Sequence, residues 1–153
     1  MKGANGKNGT LYSKKKRMGK DILHLTLSSG ISGVYNSACI AKTMLEEEFP
    51  DRKIYILDSL AASSGYGLFM DELADRRDNG MDIDSLYEWA TNNRLLLNHW
   101  FFSSDLTFFI KGGRVSKTSG AIGNLLNICP LLNVNNEGKL IVREKIRTKR
   151  KVI

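Results

Sequence analysis

From Asp21 onward the chain alternates between short apolar runs and stretches with helical spacing. Ile22–Leu27 is an apolar run with one His, the pattern of a parallel strand covered on both faces. Val34, Ala38, Ala41 and Leu45 then recur at the spacing of one helix face, and the segment closes in an acidic run at Phe49-Pro50, where proline discourages continuation. Lys53–Leu57 reads as a second short strand, running through "DSLAASSGYG" into a helix to about Arg77. "DNGMD" breaks the chain, with Asp82 or Asp84 the candidate N-cap of a helix reaching about Leu96. Strand–helix–strand–helix–helix predicts a right-handed parallel α/β unit.

Beyond residue 98 the pattern changes. "HWFFS" (99–103) reads as a strand, and "DLTFFIKGGR" as a short helix ended by paired glycines. "KTSGAIGNLL" reads as a further helix, and "ICPLLNV" and "KLIVREKI" as strands joined by the turn "NNEG" into an antiparallel hairpin. The expected fold class is α/β with two domains. A parallel α/β domain spans 20–98 and an incomplete α+β domain spans 99–153. They follow a segment, 1–19, whose four glycines and KKKR run predict disorder. There are no internal repeats.

Composition narrows the class. A hydrophobic fraction of 42% and a charged fraction of 25% in 153 residues are those of a globular protein with a real core. No apolar run approaches the roughly 18 residues of a membrane span. The first ten residues contain no apolar signal core, so the expectation is a cytoplasmic protein. Cys39 and Cys129 lie in apolar contexts far apart in sequence and are expected to be reduced core residues. The net charge of +7 points towards nucleic acid until its distribution is read. Residues 1–20 carry +7 and residues 139–153 carry +6, whereas 21–138 hold nine basic and fifteen acidic residues, net −6. An acidic body with basic ends is not the footprint of a nucleic-acid-binding face, so no nucleic-acid partner is expected.

Candidate chemistry gathers in three places. "SSGISG" (28–33) follows the first strand, where a parallel sheet presents ligands, and precedes a helix whose unpaired N–H groups carry partial positive charge. A carboxylate or phosphate fits there. Spacing alone leaves two readings open: an anion seat, or Ser32 capping the helix while the glycines turn the chain. The Walker spacing and its lysine are absent. "DSLAASSGYG" repeats the arrangement with Asp58, Ser59, Ser63 and Ser64, and helix capping is the default there. Lys111–Arg114, "KGGR", is either a helix C-cap or a corner from which Arg114 holds an anion or a partner's acidic residue. His24 and His99 have no cysteine or acidic partner at a ligand spacing, so neither a metal nor a cofactor is expected. No Gly-x-Ser-x-Gly elbow is present.

In order and spacing, "DILHLTLSSGISGVYNSA", "IYILDSLAASSGYG", "DLTFFIKGGRVS", "NICPLLNVNNEGKL" and "IRTKRK" resemble the DegV family of fatty-acid-binding proteins, from about Lys20 to the last residue. The resemblance implies two α/β domains with one long-chain fatty acid, such as palmitate, buried between them. It also implies a non-enzymatic carrier that presents the acyl chain to a separate fatty acid kinase catalytic subunit. By resemblance, Ser32 holds the carboxylate, Ser29 and the Gly33 backbone line the same loop, and Arg114 with Gly113 sits at the pocket mouth or kinase-facing side. The apolar residues of 106–110 and 122–132 are candidates to line the cleft. Family members are nearly twice this length. They begin with a strand and a TSxPS-type loop and end with a His-containing stretch, so the chain is expected to be truncated at both ends. No transmembrane segment is expected, and membrane contact would be transient. Two rivals stand beside this reading. One is an enzyme using Ser32 on a phosphorylated or acyl substrate with His24 as base. The other is a module that binds nucleic acid through its basic tails.

Overall fold

The computed structural model describes residues 18–116 and 129–146. Two sheets organise them. Strand β1 (Ile22–Thr26) pairs in parallel with β2 (Ile54–Asp58), Leu25 opposite Leu57 and Thr26 opposite Asp58. Their crossover is helix α1 (Val34–Glu48), and α2 (Ser63–Asp78) and α3 (Ile83–Asn93) follow β2. A single 3-10 turn, Arg94–Leu96, ends this part. Strand β3 (Trp100–Phe102), helix α4 (Thr107–Lys111) and strands β4 (Cys129–Val134) and β5 (Leu140–Ile146) complete the described chain, with an antiparallel sheet ordered β3-β4-β5.

The alternation of side chains along β2 explains the layering. Ile54 and Ile56 face α1 and pack with Ala38, Ala41 and Leu45, the stripe its spacing predicts. Leu57 faces the other way, joining Leu25 to Phe69 and Leu73 of α2 and Leu86 and Ala90 of α3. The small residues Ala38, Ala41 and Ala90 let helix backbones approach the sheet closely. Both faces of the short parallel sheet are therefore covered, as its apolar strands require. Asp82 is the N-cap of α3, its carboxylate accepting from Asp84 N and Ser85 N at 3.0 and 3.1 Å.

A third core belongs to the antiparallel sheet: Leu106, Val115, Leu132 and Leu140, with Phe101, Phe109 and Val142 around them. Ile31, from the loop after β1, packs into this core as well. That one side chain ties the end of the parallel sheet to the antiparallel one. Asn135 closes the hairpin turn by accepting from Glu137 N and Lys139 N, and Gly138 takes a φ of 72° that favours glycine. The helix expected over 117–126 lies outside the described residues.

Candidate functional site

The loops after β1 and β2 continue side by side beyond the ladder. Ser59 N donates to Thr26 O at 3.3 Å and Ser28 N to Ala61 O at 3.0 Å. The first loop then turns sharply, Ile31 N and Ser32 N both donating to Ser28 O at 3.1 and 3.0 Å. Asp58, at the end of β2, accepts from Ser29 N and Leu60 N at 3.1 Å each, and Arg94 Nη1 donates to its carbonyl at 2.9 Å. The second loop carries backbone strain: Leu60 and Ser63 have φ of 50° and 51°, a left-handed region that costs a non-glycine residue about 1 kcal/mol or more.

Each sequence candidate has a definite place. Gly33, not Ser32, is the N-cap residue of α1. Ser32 lies one position earlier, and its hydroxyl accepts from Val34 N at 3.3 Å, with its own proton left to donate among the described residues. No acidic residue sits in the first turn of α1, whereas Asp82 caps α3 and Asp84 lies in its first turn. Ser29 is exposed beside Asp58. Gly113, at φ 73°, forms the corner after α4, as paired glycines there require. Arg114 folds back from that corner: Nε donates to Ile31 O at 3.0 Å and Nη1 bonds Gly112 O. The structure thus joins the "KGGR" and "SSGISG" segments, 83 residues apart in sequence.

A cavity of about 1080 Å³ lies between the start of α2, with Ile31 of the loop after β1, and the antiparallel sheet with α4. Its wall is mainly apolar, with Leu68, Leu96, Trp100, Phe108 and Phe109 prominent, and its polar lining includes Ser63, Ser64, His99 and Arg114. Leu96, Trp100 and Phe108 are 73%, 56% and 79% exposed, so the cavity opens through an apolar mouth. Ile31 and Arg114 connect the first loop to this wall, while Ser29, Ser32 and Gly33 are not among its lining residues. Of the expected cleft segments, Phe108 and Phe109 line the cavity, Cys129–Leu132 of β4 do not, and 122–128 lie outside the described residues.

His99 is the residue that spacing arguments missed. Its ring packs on Gly65, where an added Cβ would fall 1.9 Å from Cε1 and 2.1 Å from Nδ1. Burial pushes its pKa below the ordinary imidazole value, which favours the neutral ring. The sequence signal was Gly65 itself, a glycine in the first turn of a helix. His24 sits inside β1 opposite Ile56, with its pKa likewise lowered by burial. The hydroxyl of Ser32 is bonded to neither an imidazole nor a carboxylate among the described residues. Nor do these contain a group of three or more metal-ligating side chains, or a helix long and apolar enough to cross a membrane.

A sequence model of the DegV family, described as a family of uncharacterised proteins, matches residues 6–153. A DegV domain-containing protein of Clostridium perfringens is 41% identical over 129 residues, covering 84% of this chain and 44% of that protein. A fatty acid binding DegV family protein from Streptococcus agalactiae superposes with a TM-score of 0.82 at 31% identity, over 97% of this chain and 51% of the other. The fatty acid kinase B3 protein of Streptococcus pneumoniae, solved loaded with linoleic acid, gives 0.78 at 32% identity over 86% and 47%. The chain spans about half the length of the curated relatives it matches.

Proposed function

The chain belongs to the DegV family, and from that membership we propose that it binds one long-chain fatty acid and carries it without converting it. The apolar cavity between α2 and the antiparallel sheet carries this reading: it has the size and lining that an acyl tail needs, with a few polar groups in its wall. A sixteen-carbon tail has about fourteen methylenes, each worth roughly 0.8 kcal/mol on burial before ordering costs. The tail supplies affinity and the polar groups fix its direction.

The carboxylate belongs at the start of α1, with the Ser32 hydroxyl, Ser29 and the Gly33 backbone. That helix end has no acidic residue of its own, and the Ser32 proton has no other acceptor among the described residues. A second seat is favoured by one observation: Ser63 and Ser64, at the start of α2, line the cavity directly. The chain then presents the carboxylate to a fatty acid kinase catalytic subunit in the cytoplasm, with Arg114 and Gly113 on the facing side. The fatty acid kinase B3 neighbour supports that partner.

Calorimetric titration with palmitate tests the seat. Ser32→Ala should weaken binding by about 1–3 kcal/mol, the cost of losing a donor to a charged group. Unchanged affinity in Ser32→Ala with a comparable loss in Ser63→Ala or Ser64→Ala would move the carboxylate to α2.

A further inference from the structure

Ser28 is fully buried, so its hydroxyl is closed to any ligand. The hydroxyl donates to Gly138 O at 2.7 Å and accepts from Gly30 N at 3.1 Å. It thereby bonds the loop after β1 to the turn of the β4–β5 hairpin. The two glycines permit the approach. A Cβ at Gly30 would lie 2.7 Å from the Gly138 carbonyl carbon and oxygen, and one at Gly138 would lie 2.0 Å from Ser28 Oγ. The same loop is keyed twice more from that side, by the Ile31 side chain in the antiparallel core and by Arg114 Nε on the Ile31 carbonyl. From the parallel sheet it is held through Ser29 N on Asp58. Gly30 and Ile31, which lead directly into Ser32 and Gly33, therefore take their positions from the antiparallel sheet.

We infer that Ser28 is a positioning residue. Its hydroxyl relays the seating of the hairpin turn, through Gly138 and Gly30, to the 29–33 loop, so the loop holds a carboxylate only while the hairpin is seated. This rests on the fatty-acid reading above. A relay of this kind acts on the head group and not on the tail. Ligand binding and hairpin seating are then linked in both directions, because coupling between two sites is reciprocal.

The test compares palmitate with hexadecanol, which shares the tail and lacks the carboxylate. Ser28→Ala should lower palmitate affinity about tenfold, as for a lost buried hydrogen bond transmitted to a charged ligand, and leave hexadecanol affinity unchanged. Gly138→Ala should do the same from the other side, and the double variant should be no worse than Gly138→Ala alone. In the unmodified chain, palmitate should slow hydrogen exchange of the Gly30, Gly138 and Lys139 amides while hexadecanol does not. Equal losses for both ligands in the variants, or equal protection by both in the unmodified chain, would reduce Ser28 to a packing role and overturn the inference. Failure of the unmodified chain to bind palmitate would overturn the fatty-acid reading itself, and the relay with it.

Discussion

Replacing Gly65 by alanine sets two known effects against each other. Gly65 is the third residue of α2, and alanine there gains about 0.5–1 kcal/mol of helix stability over glycine. The new Cβ would also stand 1.9 Å from His99 Cε1, far inside contact distance, so the ring must move. Overpacking of this kind costs about 1–3 kcal/mol. The collision should win, leaving Gly65→Ala between unchanged and about 2.5 kcal/mol less stable in urea unfolding. The displaced ring has the cavity beside it, because His99 is part of the wall. Each methylene of tail that it evicts lowers palmitate affinity about fourfold. Removing the ring reverses the sign: on a His99→Ala background, Gly65→Ala should stabilise by up to about 1 kcal/mol. A Gly65→Ala variant more stable than the parent, with palmitate affinity unchanged, would show that His99 is not fixed against α2.

Other expectations follow from the same contacts. Phe69, buried among Leu57, Leu73 and Trp89, should cost about 3–5 kcal/mol on truncation to alanine, read as a lowered urea midpoint. His24 and His99 both have pKa values lowered by burial, so their contribution to stability is complete above the ordinary value of 6.5 and is lost as pH falls below it. Urea midpoints should therefore drop as pH falls below about 6.5, and His24→Gln with His99→Gln should flatten that slope. Arg114→Ala removes the donor to Ile31 O; palmitate affinity should fall less than tenfold, while phosphorylation of the bound acid by a fatty acid kinase should fall more. The reverse order would make Arg114, already in the cavity wall, a holder of the carboxylate rather than a kinase contact.

Much of this architecture is legible in the sequence, because local rules and tertiary packing agree along most of it. The β1 run, the α1 stripe, the Asp82 cap and the "NNEG" turn each carry a signal within a few residues. The site is less legible because it is assembled from segments far apart. Nothing near Ser28 announces that its hydroxyl meets Gly138, 110 residues on. Nothing near His99 announces that Gly65 has left room for its ring. The capping expectation at Ser32 illustrates the same limit. A serine before a helix signals a cap, yet the loop's bonds to Asp58 and to the hairpin set where the helix begins, and the cap falls on Gly33. The cavity wall is of this kind too: Leu68, Leu96, Trp100 and Phe108 come from four different elements and share no periodicity.

On the proposed function, each chain holds one fatty acid in the cavity between α2 and the antiparallel sheet. Native mass spectrometry of the purified protein, followed by solvent extraction of what it carries, tests that most directly. The expected result is a bound species of one long-chain fatty acid per chain, exchangeable for added palmitate. A protein folded by circular dichroism that carries no lipid and takes up none from palmitate would contradict it.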